Sequence, residues 1–253
     1  MFVYKKHLKI IIGIFLIHIY CLAENLDVNA DKDMIIVDPI PIKTKTNNSV
    51  YRLVDYNERK TKWSTVFSLG YGQINLPNFE TNFLVENFTQ VYGEKVPYYE
   101  LQYGMNRNFD YLALGFETGV GFLESDALEG LSDKPSLTLI PIKLGARLSF
   151  NSLFSEPYVL PYVSAGGYIM VYEEQLNSST SDGNASVAGY YSAGLAFQLN
   201  WIDPKASRVS FMQYGLQNSF VYIEAKQYLA SGQEQDPDFS SDPSISAGLL
   251  LEL

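Results

Sequence analysis

The sequence predicts an all-β protein in which residues 62–253 form an eight-stranded antiparallel up-and-down transmembrane β-barrel. Three observations support this prediction. From Trp63 onward, segments of about ten residues alternate bulky apolar residues with small or polar ones, as the strands of membrane barrels do. The connections between these segments are alternately long and short. An export signal precedes them, and no second apolar run long enough for a spanning helix follows it.

Residues 1–23 have the three parts of a secretory signal peptide. A basic start is followed by an apolar run over residues 8–20 and by a cleavage region that ends at Ala23. Two alternatives remain open. A membrane anchor needs about 20 apolar residues, and this run is shorter. A lipoprotein signal at Cys21 calls for a small preceding residue, but Tyr20 stands there.

Removal of the signal makes the chain more acidic and simplifies its chemistry. It leaves 15 basic and 28 acidic side chains, a net charge of −13 compared with −10 for the whole chain. Nucleic acid is therefore not an expected partner, because phosphates are bound by basic surfaces. The removed segment also holds both histidines, His7 and His18, and the one cysteine. We therefore expect neither a disulfide nor a zinc site, and no cofactor.

Residues 24–61 are interpreted as a periplasmic N-terminal tether. The part that ends at Ser49 is polar, and the Asp-Pro-Ile-Pro sequence at 38–41 favours an extended chain. Residues 51–60 (YRLVDYNERK) are a candidate for a short helix or an edge segment near the barrel mouth.

Six of the eight predicted strands alternate clearly, with bulky residues on one face. They lie at 63–71, 99–105, 112–122, 140–150, 191–201 and 245–253. The fifth strand, at 158–172, and the seventh, at 209–224, are less regular, and which face points inward stays open for both. The proposed apolar face of the seventh contains Met212, Tyr214, Leu216, Phe220 and Tyr222.

The second face of these strands favours a membrane barrel over a soluble one. It is rich in Gly, Ser, Ala, Gln and Asn with isolated charges, which suits the narrow lumen of a small barrel. The bulky, uncharged face then suits lipid, and closure of the sheet satisfies the backbone groups that a bilayer cannot. A soluble secreted β-sandwich is the alternative interpretation.

The connections predict how the barrel is oriented. Long connections at 78–96, 124–136, 173–186 and 226–242 alternate with shorter ones at 106–110, 151–157 and 202–208. Membrane barrels have long external loops and short periplasmic turns, so both termini are expected in the periplasm.

In these features the chain resembles the small outer-membrane barrels of the OmpA, OmpX and OmpW type. The resemblance covers about 63–253 and includes the Pro-containing segments LIPIKLG at 139–145 and PYVSAGG at 161–167. The last strand alternates apolar residues up to Leu253, where family members usually have Phe. The resemblance implies a Gram-negative outer-membrane location, contact with membrane lipid, and recognition of the C-terminal strand by the barrel-assembly machinery.

Four charged residues are expected on the lumen face of neighbouring strands: Glu100, Glu117, Lys143 and Arg147. Buried charges are costly unless they are paired, so the favoured interpretation is an ion-pair network that fills the lumen. The alternative is a narrow pore for ions or small solutes. An eight-stranded barrel usually has an interior that its own side chains fill, which disfavours the pore.

An enzymatic role is not expected. Some eight-stranded barrels modify lipid A acyl chains with the help of histidine, and the exported part of this chain has none. A lipid-modifying enzyme that uses only carboxylates, or a Ca²⁺ site among the loop acids, remains an alternative. Solvated acidic side chains are the simpler interpretation.

The first long loop carries an apolar cluster of Phe79, Phe83, Phe88 and Tyr92. It is interpreted as packing over the barrel mouth, with binding of an unidentified extracellular ligand as the alternative. The resulting hypothesis is a porin-like barrel of the cell envelope with a filled polar lumen and a structural or loop-mediated binding role.

Overall fold

A computed structural model describes residues 55–131, 133–234 and 236–253. The predicted signal peptide at 1–23 and most of the predicted tether lie outside the described residues. The elements in chain order are α1 (Tyr56–Arg59), β1 (Trp63–Ile74), α2 (Phe88–Tyr92), β2 (Val96–Asn108), β3 (Ala113–Asp126), β4 (Ser136–Ser149), β5 (Val159–Leu176), β6 (Ser179–Asn184), β7 (Ala188–Gln198), α3 (Pro204–Tyr214), β8 (Asn218–Tyr228) and β9 (Ser244–Glu252).

The sheet closes on itself and confirms the predicted fold class. Each barrel strand pairs antiparallel with its neighbours, and β1 closes the ring by pairing with β9 from Val66↔Glu252 to Gln73↔Ile245. The eight barrel strands are β1–β5 and β7–β9. The short strand β6 pairs only with the end of β5 and extends it as a hairpin outside the ring. Closure leaves no sheet edge within the barrel, so the strand backbones bond to one another.

Small residues on the inward face make room for large ones that cross the lumen. A Cβ atom at Gly121 would collide with the ring of Tyr98, and one at Gly194 would collide with the ring of Tyr162. Both tyrosines are buried inside the barrel. At these two positions the absence of a side chain lets an inward aromatic ring lie against the backbone.

The prediction for the seventh strand, at 209–224, was wrong in its first part and right from 218 onward. Residues 204–214 form helix α3, and β8 begins only at Asn218. Met212 and Tyr214, expected on a strand face, therefore belong to the helix. The connection between β7 and β8 covers residues 199–217, where a short turn at 202–208 was expected.

Local capping explains why a helix forms at this position. Asp203 is the N-cap, and its side chain accepts a hydrogen bond of 2.9 Å from the backbone N–H of Ala206. Pro204 occupies the first turn, where its missing N–H costs nothing. Gly215 ends the helix in the left-handed conformation at φ 69°. These helix start and stop signals determine the structure of residues 204–214, although apolar and polar residues alternate weakly over 209–214.

The facing of the two ambiguous strands is now defined. In β8, Phe220 and Tyr222 are buried inward, whereas Val221 and Ile223 point outward. The apolar face suggested for this strand, with Phe220 and Tyr222, thus points into the barrel. In β5 the inward side chains include Tyr162.

Two apolar clusters fill the barrel at different heights. The upper apolar cluster lies at the end with the long loops and includes Tyr98 and Tyr228. The lower apolar cluster includes Phe220 and Tyr222. Along β8 the charged residues Glu224 and Lys226 lie between them. Within the described residues, no helix has the length and apolarity needed to cross a membrane.

Candidate functional site

Six buried charged side chains meet in the middle of the lumen. Glu100 of β2, Glu117 of β3 and Glu224 of β8 carry the negative charges. Lys143 and Arg147 of β4 and Lys226 of β8 carry the positive ones. The formal charges of this lumen network cancel, which is the condition under which such a group can remain ionised away from water.

Each cation of the lumen network contacts at least one carboxylate. The Nζ atom of Lys143 lies 3.2 Å from Glu100 Oε1 and 3.3 Å from Glu117 Oε1. Arg147 Nη1 lies 3.8 Å from Glu117 Oε2. Lys226 Nζ lies 3.0 Å from Glu224 Oε1 and also contacts Glu100. Glu100 and Glu117 thus each join two cations, and the network is continuous across the barrel.

Aromatic side chains pack against the lumen network. Tyr190 donates a hydrogen bond of 3.0 Å from its hydroxyl to Glu117. The guanidinium carbon of Arg147 lies 3.8 Å from the ring centre of Tyr162. The hydroxyls of Tyr98 and Tyr228 are 2.8 Å apart.

The four lumen charges predicted from sequence lie together, and two further members escaped prediction. Glu224 and Lys226 were missed because the seventh strand was predicted to end at 224 and its inward face was left open, whereas β8 continues to Tyr228. One sequence feature could have indicated these two charges. Tyr222, Glu224, Lys226 and Tyr228 stand at alternate positions and therefore share one face of a strand.

Helix α1 closes the barrel at the end opposite the long loops. Tyr56 is buried; its hydroxyl donates to Glu252 at 2.7 Å and its backbone N–H donates to Glu156 at 2.9 Å. Arg59 donates to the Glu156 carboxylate at 2.8 Å and to the backbone oxygen of Gln217 at 3.0 Å. Burial, and next the negative charge of Glu252, raise the pKa of Tyr56, so its hydroxyl stays a donor.

The first long loop covers the other mouth. Phe79, Phe88 and Tyr92 are buried in the upper apolar cluster, and Phe83 is half-buried. The ring of Phe79 stacks on Phe239 of the fourth long loop with 4.9 Å between centroids. Three of the four predicted cluster residues are therefore inside the cap that the loops form.

A buried carboxylate fixes this loop to the barrel. Glu174 of β5 accepts a 2.9 Å hydrogen bond from the Tyr92 hydroxyl and a 2.7 Å bond from the backbone N–H of Asn82. Burial, followed by the charge of Glu174, raises the pKa of Tyr92. The tyrosine therefore remains protonated and keeps donating to the carboxylate.

The tip of the first long loop holds a strained residue. Val85 has φ 54°, in the left-handed region that β-branched residues avoid, and 76% of its surface is exposed. Its backbone N–H donates to the carbonyl of Thr81, and a bridge between Glu80 and Asn87 closes the turn. The turn thus holds an apolar side chain out in solvent.

The barrel interior contains a small cavity next to the lumen network. A cavity of about 10 Å³ lies beside Asn106 and Arg147, with room for about one water molecule. No group of three or more His, Cys, Asp or Glu side chains placed to hold a metal ion occurs in the parts of the chain that the structure describes.

No family model matches the chain, and no curated protein matches it. Among solved structures, it is similar to Ail, the attachment invasion locus protein of Yersinia pestis, at 14% identity and TM-score 0.42, covering 76% of this chain and 100% of that one. It is also similar to the N-terminal barrel domain of Pseudomonas aeruginosa OprF, at 15% identity and TM-score 0.37, covering 76% and 98%. Neisserial surface protein A matches at 10% identity and TM-score 0.36, covering 76% and 97%. In fold, the chain resembles small eight-stranded outer-membrane barrels.

Proposed function

We propose that this protein is an integral outer-membrane barrel with a filled polar lumen, and that its role is structural or is carried out by its long loops. The observation that carries this proposal is the location of the charged side chains relative to the barrel wall. Charged side chains lie inside the barrel, whereas the middle of its outer surface is apolar and uncharged. A water-soluble barrel has the opposite arrangement, because its apolar side chains face the interior.

The outer surface supports a lipid-facing position. Its exposed apolar side chains include Leu69, Leu101, Phe116, Leu144, Val163, Leu195, Ile223 and Leu249. Among the outward positions of the barrel strands, charges stand only near strand ends, at Arg107, Glu124, Asp126 and Glu173. Aromatic residues such as Trp63 and Tyr71 lie toward the ends of this belt, where interfacial girdles occur.

The interior supports a sealed barrel and not a pore. A conducting path has to pass the lumen network, the tyrosines around it, and the closures made by α1 and the first long loop. We do not propose an enzyme, because the barrel carries neither histidine nor cysteine for proton transfer or nucleophilic attack.

The long-loop end is acidic, which favours a positively charged partner. Its acidic residues are Glu80, Glu86, Glu94, Glu129, Asp133, Asp182, Glu234, Asp236, Asp238 and Asp242, whereas its basic ones are Lys95 and Lys134. One solved structure of Ail contains the heparin analogue sucrose octasulfate. That anionic ligand does not suit the acidic loops of this chain.

Binding of oligolysine to vesicles that carry the protein tests this part of the proposal. We expect the vesicles to retain oligolysine at low salt and to release it at high salt. Equal retention at low and high salt contradicts the proposal.

A charge placed on the outer belt tests the lipid-facing position. Leu144 is exposed near the middle of β4, and Leu144→Lys should lower the free energy of unfolding in phospholipid vesicles by about 2–4 kcal/mol. Thr138→Lys is the matched control at the rim, opposite Glu124 and Glu173, where about 0–1 kcal/mol is expected. Equal and negligible effects, or a folded protein that stays in solution without detergent, would overturn the proposal.

A further inference from the structure

The outward charges of the barrel strands have opposite signs at the two ends of the barrel. At the long-loop end they are acidic, at Glu124, Asp126 and Glu173. At the end that α1 closes, the outward charge is the exposed Arg107 of β2. A charge on the outer face of a membrane barrel is least costly near the interface, where polar groups can pair with it. The sign of the charge at each end therefore bears on what that end can contact.

Two aromatic rings hold the guanidinium group of Arg107 at the rim. Its central carbon lies 5.8 Å from the ring centre of Trp63 and 5.5 Å from that of Phe109. Among the ion pairs of the described residues, none includes Arg107. Contacts with ring faces restrict where the guanidinium lies but leave its N–H groups able to donate hydrogen bonds. Arg107 is thus a positioned cation without a carboxylate partner in the described chain.

The surroundings of Arg107 are apolar on the side of the outer belt. Trp63, Arg107 and Leu114 are register neighbours on three adjacent strands. Leu114 is 50% exposed, and so is nearly half of Phe116 at the next outward position of β3. A cation therefore stands at the boundary between apolar barrel wall and the α1 end. A phospholipid has the matching order of groups, because its acyl chains lie next to an anionic phosphate.

We infer that Arg107 binds the phosphate of a phospholipid in the leaflet on the α1 side, with Trp63 and Leu114 against its acyl chains. The inference rests on the proposed membrane position of the barrel. A guanidinium can donate two parallel hydrogen bonds to two phosphate oxygens. A second copy of the chain is a poorer partner. Two copies inserted in the same direction both carry their outward acidic strand residues on the other side of the membrane.

The fluorescence of Trp63 tests this inference, because Trp63 contacts Arg107. The chain has two tryptophans, so Trp201→Phe leaves Trp63 as the only one. The protein is placed in phosphatidylcholine nanodiscs that contain a small fraction of phosphatidylglycerol, and the quenching bromine is carried by an equal amount of one lipid or the other. Phosphatidylglycerol has no ammonium group to pair with its own phosphate. We therefore expect it to be enriched at Trp63 about fivefold, seen as stronger quenching. Equal quenching by the two brominated lipids overturns the inference.

A variant pair separates the binding of phosphate at Arg107 from the general charge of this rim. Arg107→Gln should abolish the preference for phosphatidylglycerol. Lys62→Gln is the matched control, because it also removes an exposed cation next to Trp63 in the chain, and it should keep the preference. The ratio of quenching by the two lipids is compared within each variant, so a changed environment of Trp63 cancels. A preference that survives Arg107→Gln, or that is lost equally in Lys62→Gln, contradicts a site at Arg107.

Insertion of the barrel is measured in the same samples by its resistance to protease and its β-sheet circular dichroism. An inserted barrel without a lipid preference at Trp63 refutes the phospholipid site alone. A barrel that does not insert refutes the proposed function itself.

Discussion

At the scale of single residues, Glu100 is a central member of the lumen network, because two lysines from different strands share its carboxylate. In a buried ion pair, the loss of one partner leaves the other charge without compensation. The balance of three anions and three cations therefore makes each member sensitive to neutralisation.

We predict that Glu100→Gln lowers the free energy of unfolding by about 3–5 kcal/mol, because Lys143 and Lys226 lose a shared carboxylate in a buried site. Urea unfolding in phospholipid vesicles, followed by tryptophan fluorescence, measures the change. Glu124→Gln, which alters an exposed residue at the end of β3, is the control and should have little effect. A similar loss in both variants would show that burial of the charge is not the cause.

A substitution at Val85 should stabilise the protein, whereas the substitution at Glu100 destabilises it. Val85→Asn is expected to stabilise the loop turn by about 1 kcal/mol, because Asn tolerates the left-handed conformation that Val resists. Amide hydrogen exchange of residues 79–88 measures this as slower exchange. Val187→Asn replaces another exposed valine, one outside the positive-φ residues of the described chain, and should give no gain. Faster exchange in Val85→Asn would argue against stored strain at this position.

At the scale of elements, the sequence alone could predict those strands in which side-chain alternation is regular. The pairing of β1 with β2 places Leu69 beside Leu101 and Tyr71 beside Tyr99 on the outer face, as the pattern predicts. The pattern failed at 204–214, where helix caps act over three or four residues and override a two-residue period. It also could not show that α1 docks on Glu156 and Glu252, because those contacts join residues about 100 and 196 positions apart.

The docking of α1 gives an element-scale prediction. Arg59→Gln should lower the free energy of unfolding by about 2 kcal/mol, because hydrogen bonds to the Glu156 carboxylate and to the Gln217 carbonyl are lost at a nearly buried site. Urea unfolding in vesicles measures the loss. Glu58→Gln, an exposed residue of the same turn, is the matched control. If the two variants unfold alike, α1 contributes nothing to closure of this end.

The contact between the third and fourth long loops should depend on pH. Asp236 accepts a 2.7 Å hydrogen bond from the backbone N–H of Ser186, and this bond lowers the pKa of the carboxyl group. A lowered pKa means that the contact is fully present above the ordinary Asp pKa of about 4 and is lost as the pH falls through the lower, folded value. Amide exchange at Ser186 should therefore accelerate only in acid. Asp236→Asn should abolish that pH dependence, and an unchanged acid response in this variant would contradict the assignment.

At the scale of the whole molecule, the interior is arranged in layers along the barrel axis. The first long loop and the upper apolar cluster cover one mouth, the lumen network occupies the middle, and the lower apolar cluster and α1 close the other end. The outer surface is apolar around this polar interior. Under the proposed function, this arrangement is a sealed scaffold in the membrane, and the acidic long loops are the part available to partners.

Single-channel conductance in planar phospholipid bilayers tests the sealed barrel most directly. Insertion is first established by protease protection, so that a silent bilayer reports a closed lumen and not missing protein. A sealed lumen predicts no discrete conductance steps from the inserted, unaltered chain. Steady steps of uniform size would contradict it and would identify the barrel as a narrow pore.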